Sequence, residues 1–246
     1  MDKIKLYPAV LPFKFPGLGN VFCAFSTALY GNISLDFGLD AEADVERRRG
    51  LATGLGFDSW TELRQVHGPK LLVNPPATPF DAPSSLEADG CCTDQPGRAM
   101  LSKAADCQQI LLAHKSGKYV AALHAGWRGN AIKFPESGVA DFCAAYKIKP
   151  ADVLAVRGPS LGPGSAEFVN FDQEWPAEFA PWFDRAGKLM DLWSLTRHQL
   201  TKAGIRPEHI YSLDFCTYAQ NDVFFSYRAG NAGRQAGLIF IKRSGL

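Results

Sequence analysis

Five short polar clusters interrupt the apolar runs of this chain, and most of them carry a group able to ligate, attack or move a proton. In order they are RQVHG (64–68), EADG (87–90), KAADC (103–107), HAGWRG (124–129) and GPSLGPG (158–164). Glycine beside a reactive side chain lets the backbone turn sharply and leaves that side chain reachable. Together the clusters supply His67, Cys107 and His124. Two imidazoles and a thiolate form a zinc-type donor set, and three protein ligands leave the fourth tetrahedral position open to water or substrate. Nothing local forces residues so far apart to meet. The plainer reading of each is a hydrogen-bonded histidine or an inert core cysteine.

An open zinc acidifies bound water towards a pKa of about 7 or polarises an oxygen as a Lewis acid. Asp89 and Asp106 are the nearest carboxylates in sequence. Either suits proton transfer or the orientation of His67 or His124, and the orienting role is the favoured one for Asp106, which adjoins a ligand. Arg128 can grip a phosphate through two parallel hydrogen bonds, or simply stack on Trp127. The glycine-rich GPSLGPG lacks the GK[ST] of a phosphate-binding P-loop, but its backbone N–H groups and Ser160 can line a pocket. The run Arg47, Arg48, Arg49 reads as a solvated helix face.

These clusters need elements to hold them. QQILLAHKSGKYVAALHAG reads as a β-hairpin turning on KSGK. Helical spacing follows from about residue 130 to 146, with Pro135 delaying or kinking its start, and then a strand, VLAVRG (153–158). Further helices are expected over 41–55 and 189–203, the latter ending at Gly204. VFFSYRAG and GRQAGLIFIK read as a terminal strand pair, and the proline-rich VNPPATPFDAPSS (73–85) as a long surface loop. Strands and helices mix without regular βαβ alternation, which favours an α+β, mixed-sheet architecture. The whole span 1–246 reads as one domain.

Composition narrows the partners. The chain has 46% hydrophobic and 21% charged residues and a formal net charge of +1, so no overall field draws it to nucleic acid or anionic membrane. MDKIKLYPAVLPFKFPG offers no continuous apolar run for a signal segment, so a cytoplasmic protein, monomeric by default, is expected. Six scattered cysteines without a CxxC pair read as free thiols, with Cys91 and Cys92 in a buried strand.

QVHG, ADG, ADC, HAGWRG and GPSLGP, in this order, resemble the signature of the YfiH family, also called laccase-domain proteins or multicopper polyphenol oxidases. Family members are regarded as purine nucleoside phosphorylases. The similarity continues through AFST and SLDFG, DLWSLTRHQL, CTYAQNDVFFSYR and GRQAGLIFIK, nearly the whole chain. It implies an α/β layered fold similar to the catalytic domain of the cytotoxic necrotising factors. It also implies zinc held by His67, Cys107 and His124 in a pocket for a purine nucleoside. The implied activity is phosphorolysis of adenosine, inosine, guanosine and methylthioadenosine, with phosphate as co-substrate, and deamination of adenosine. Arg49, Trp127 and Ser160 become candidate substrate contacts, and Asp89, Asp106 and Arg128 candidate catalytic groups. The chain departs from the family where a proline commonly stands two residues after the ADC cysteine, having Gln108 and Gln109. It has Ala166 where the family often has an aromatic, and Arg48 stands in place of the asparagine of an Asn-Arg pair.

Three other readings stay open. A laccase-like oxidase would need a multi-histidine copper cluster, and five histidines without an HxH pair cannot build one, although copper itself can occupy an N/S site. A metal-free cysteine hydrolase would use Cys107 as nucleophile with His124 or His67 as base. A non-catalytic nucleoside or metal sensor would keep the pocket and lose turnover.

Overall fold

The computed structural model describes residues 8–37 and 40–243. The first seven residues of the N-terminal stretch and Gly38 of SLDFG lie outside them. Along the chain run β1 (Val10–Phe13), β2 (Val21–Ser26), α1 (Ala41–Leu55), β3 (Ser59–Thr61), β4 (Leu71–Val73), β5 (Gly90–Thr93), β6 (Arg98–Ala104), β7 (Gln108–His114) and β8 (Val120–Ala125). They are followed by α2 (Trp127–Ala131), α3 (Phe134–Tyr146), β9 (Val153–Arg157), α4 (Phe171–Glu174), β10 (Phe183–Asp184), β11 (Leu189–Met190), α5 (Leu192–Lys202), β12 (Ile210–Ser212) and β13 (Gln235–Ile241).

Two mixed sheets carry the fold, in the orders β1-β2-β13-β6-β3 and β12-β9-β7-β8-β5-β4. Their strands are apolar on both faces because both faces are covered. Phe25, Met100 and Ile239 of one sheet meet Leu111, Ala122 and Val156 of the other in the central core. One residue along, Ile110 and Leu112 turn outward to Phe134, Val139 and Phe142 of α3 and Leu200 of α5. On the far side Ala99, Leu101 and Phe240 pack with Leu51 and Ala52 of α1. The result is a mixed α/β architecture of two sheets between helices, without βαβ alternation, as the sequence pattern implies.

Most expected elements form, with four differences. Lys133 takes a left-handed φ of 61° and splits the helix after β8 in two, with Pro135 in the first turn of α3. Leu189 and Met190 pair with β10, so the helix there begins at Leu192, capped by the Asp191 side chain. Only the second half of the expected terminal strand pair is a strand. VFFSYRAG (223–230) forms turns, because the Gln235 and Asn231 side chains take the Phe225 and Ser226 amides that a ladder would use.

The fourth difference concerns the arginines of α1. Arg47 is part-exposed and Arg49 lies on the surface beside Asp81, but Arg48 is wholly buried. Arg48 stacks over Trp60, donates to the carbonyls of Phe80 and Ala82, and pairs with the buried Glu62. It therefore pins the proline-rich loop to the body of the protein. Removing one partner of a buried ion pair strands the other charge. Arg48→Met is expected to lower unfolding free energy by about 3–5 kcal/mol in urea denaturation; a loss below about 1 kcal/mol would place Arg48 among surface residues.

Candidate metal centre and cleft

Strand direction explains why five separate clusters meet. Strand β8 runs antiparallel to both β5 and β7, β9 runs antiparallel to β7, and β4 runs parallel to β5. The starts of β4, β5 and β7 and the ends of β8 and β9 therefore share one end of the sheet. RQVHG precedes β4, EADG leads into β5, KAADC precedes β7, HAGWRG ends β8 and GPSLGPG follows β9.

There the donor atoms of His67, Cys107 and His124 lie within 4.8 Å of one another. His67 Nε2 is 3.7 Å from Cys107 Sγ, and the two imidazole rings stand edge to face at 4.9 Å. Zinc–sulfur bonds of about 2.3 Å and zinc–nitrogen bonds of about 2.0–2.1 Å would set tetrahedral donors about 3.3–3.6 Å apart. The donor chemistry and spacing thus fit a metal ion. Gly126 supplies the room: a Cβ there would lie 2.8 Å from Cys107 Sγ and 2.9 Å from His67 Cδ2.

Asp89 positions two of the donors. Its carboxylate accepts the backbone amides of Val66, His67 and Gly68 at 3.1, 2.9 and 2.7 Å, which holds His67 at its left-handed φ of 59°. The same carboxylate lies 2.8 Å from His124 Nδ1, so that nitrogen carries the proton and Nε2 keeps its lone pair for a ligand. Burial disfavours the Asp89 charge, but the His124 hydrogen bond and the loop amides outweigh it and hold the carboxyl below its usual range.

Cys107 and His124 reinforce each other. Burial opposes both charges, yet the His124 charge and hydrogen bonds from His124 and His67 bring the Cys107 thiol down to about 6. On His124 the Cys107 charge and the Asp89 hydrogen bond overcome burial and raise the imidazole to about 9. Each group thus favours the charged form of the other, and the thiolate is the form of Cys107 that ligates or attacks.

Asp106 does something other than orient an imidazole. Its carboxylate accepts the Thr217 hydroxyl at 2.6 Å and the Arg228 amide at 2.7 Å. It ties the turn segment 223–230 to the residue next to Cys107, and its own φ is 87°. Of the two candidate carboxylates, Asp89 is the one that fixes the histidines.

The triad sits in a cleft of about 840 Å³, within the range of small-molecule sites. Trp127 and Arg128 line it, with the guanidinium 4.4 Å over the indole, which is the stacked reading of Arg128. Phe168 also lines it, edge to face with Trp127 at 5.8 Å, and supplies an aromatic surface two residues from the wholly buried Ala166. Arg49 and Ser160 are not part of the lining: Arg49 faces solvent, and the buried Ser160 hydroxyl accepts from Arg157 and Trp193. Gln108, the first of the two glutamines after Cys107, spans to Asn130 and the Leu192 carbonyl. Tyr227, Arg228 and Arg234 line the cleft unforeseen, and Lys103, which opens the KAADC cluster, lines it without having been assigned a role. The signal for Tyr227, Arg228 and Arg234 was that YR and GRQ carry cations inside segments read as strands.

The family model for multi-copper polyphenol oxidoreductase laccases matches residues 23–242. The chain belongs to this laccase-domain, or YfiH, family. Among YfiH relatives, the purine nucleoside phosphorylase YfiH of Shigella flexneri is 35% identical over 207 residues, 80% of either chain. The purine nucleoside phosphorylase YlmD of Geobacillus stearothermophilus is 30% identical over 85% of this chain and 82% of its own. The crystal structure of YlmD from that organism superposes with a TM-score of 0.82 at 26% identity, covering 97% of this chain and 98% of that one. A Neisseria meningitidis protein superposes with a TM-score of 0.81 at 28% identity over 96% of this chain and all of the other.

If Asp89 sets both histidines, Asp89→Asn should weaken affinity for added zinc by about 10–100-fold in competition with a chelator. Unchanged affinity would reduce Asp89 to a loop anchor.

Proposed function

We propose that the chain is a zinc-dependent purine nucleoside phosphorylase, acting on adenosine, inosine, guanosine or methylthioadenosine, with adenosine deamination as a second activity. The observation that carries this reading is the convergence of His67, Cys107 and His124 in a cleft walled by Trp127 and Phe168. The names of the relatives support it. His67, Cys107 and His124 would hold the zinc, which when bound supplies Lewis acidity at the open coordination position. Copper can bind the same N/S donors, but the only such cluster among the described residues has three donors and offers no second site for oxidase chemistry.

The chain's own residues do the rest. Trp127 and Phe168 offer faces and edges on which a purine stacks, at a small entropy cost because both are packed against Trp175. Arg128, held flat on Trp127, reaches substrate from the same wall. Asp89 acts as a positioning residue, keeping the proton on His124 Nδ1. Asp106 positions the Arg228 segment and lies in the cleft wall, within reach of a substrate hydroxyl or amine.

We place the enzyme in the cytoplasm as a monomer of one catalytic domain, 1–246, without nucleic-acid or membrane partners. The net charge of +1 supports this, and no described helix is long and apolar enough to cross a membrane.

One observation favours a second reading. The Cys107 thiol, 3.7 Å from His67 Nε2 and with His124 within 4.8 Å, is also the start of a cysteine hydrolase. Zinc analysis with phosphate-dependent release of base separates the two. Wild type is expected to carry near one zinc per chain and to release base only when phosphate is present, and Cys107→Ser to lose both. Turnover of the metal-free protein without phosphate would favour the hydrolase. Bound zinc with no turnover of any purine nucleoside would leave a sensor.

A further inference from the structure

We propose that Arg234 and Lys103 form the oxyanion subsite of the cleft, that it takes inorganic phosphate, and that Asp36 occupies the anion's place in its absence. The inference rests on the phosphorolysis reading and assigns its second substrate to a wall other than the Trp127–Arg128 one. Five cations line the cleft: Arg64, Lys103, Arg128, Arg228 and Arg234. Arg64 pairs with Glu87 on the surface, and Arg128 lies flat on Trp127. Arg228 spends a guanidinium N–H on the Glu167 carbonyl.

Arg234 differs from these. One of its terminal nitrogens donates to the Ala232 and Gly233 carbonyls, both at 2.9 Å, and its guanidinium lies 4.3 Å from the Phe37 ring centre and 6.0 Å from that of Tyr227. That leaves the rest of the planar donor fork fixed in direction, and among the described residues no carboxylate pairs with it. An oriented fork of this kind matches two oxygens of a phosphate.

Lys103 brings the second charge from the adjoining strand, as the register of β6 on β13 places it opposite Ala236. Its side chain is only 7% exposed, and it is held from behind by the wholly buried Glu62, which Arg48 holds in turn. A lysine is seldom buried this deeply in a pocket wall without a charge to meet. On its open side the partner is Asp36, at 2.7 Å, whose side chain is 36% exposed and can leave for solvent at small cost. Asp36 and Phe37, adjacent in sequence, thus cover the two cations, a carboxylate on one and a ring on the other. The carboxylate presents the same pair of oxygens that phosphate would.

In the reaction a phosphate oxygen held here forms a bond to the anomeric carbon of the nucleoside. The carbon–nitrogen bond breaks with its electron pair going to the base, which takes up a proton, and the sugar leaves as its 1-phosphate. Arg234 and Lys103 bind and orient the nucleophile.

The test is the phosphate dependence of base release, together with direct calorimetric binding of inorganic phosphate, in wild type, Arg234→Met, Arg234→Lys and Asp36→Asn. Loss of one charge-assisted contact is expected to raise KM for phosphate about 10- to 100-fold in Arg234→Met while KM for nucleoside changes little, with Arg234→Lys recovering part of it. Asp36→Asn, which removes the competing carboxylate, is expected to tighten phosphate binding several-fold, a change that a merely structural role would not give. An unchanged KM for phosphate in Arg234→Met, or weaker binding in Asp36→Asn, would overturn the assignment. If wild type cleaves no purine nucleoside, the phosphorolysis reading fails, but the subsite is still decided by calorimetry. Phosphate bound by wild type and lost in Arg234→Met upholds it, and no binding by wild type overturns it.

Discussion

The Asp89 carboxylate accepts three consecutive loop amides on one side and the His124 imidazole on the other. One buried anion therefore fixes a loop that carries one donor and the tautomer of a second donor on a strand. The third donor, Cys107, comes from the crossing between the two sheets, where only three residues separate the end of β6 in one from the start of β7 in the other. Because β7 is the neighbour of β8, the place of Cys107 beside His124 follows from strand pairing, and the two share charge across the gap. The left-handed backbone at His67 and Asp106, costly for residues other than glycine, persists because hydrogen bonds on each over-determine it.

A second tier of charges lies in the wall behind. Arg48, Glu62, Lys103 and Asp36 run from the interior of α1 to the cleft surface, alternating in sign. Such a chain adds little to stability compared with a well-packed apolar replacement, but it fixes where the last charge stands. Segment 223–230, pinned through Asp106, brings Tyr227 and Arg228 in from the opposite end of the sequence. The cleft is therefore assembled from almost the whole length of the chain, which agrees with a family match spanning residues 23–242.

The parts legible in the sequence are those governed by local pattern. The hairpin of β7 and β8, helix α1 and strand β9 all follow from periodicity, turn residues and caps. His67, Cys107 and His124 could be singled out because reactive residues stood next to glycine at the ends of apolar runs, although only the resemblance to a family gave reason to join them. What escaped was decided by tertiary contacts. Arg47, Arg48 and Arg49 are chemically alike, and only the position of Trp60 and Glu62 selects the middle one for burial. Asp106 adjoins a donor in sequence, but its left-handed backbone turns the carboxylate towards Thr217 and Arg228, leaving Asp89 to hold the imidazole. VFFSYRAG has the apolar content of a strand, and distant side chains claim its amides.

The central claim is that one thiolate and two imidazoles hold zinc at the base of this cleft. X-ray absorption at the zinc edge of the purified protein measures that directly. The account predicts a single sulfur neighbour at about 2.3 Å with two or three nitrogen or oxygen neighbours at about 2.0–2.1 Å. Zinc surrounded by oxygen alone, or a fully active protein that binds no zinc, would contradict it.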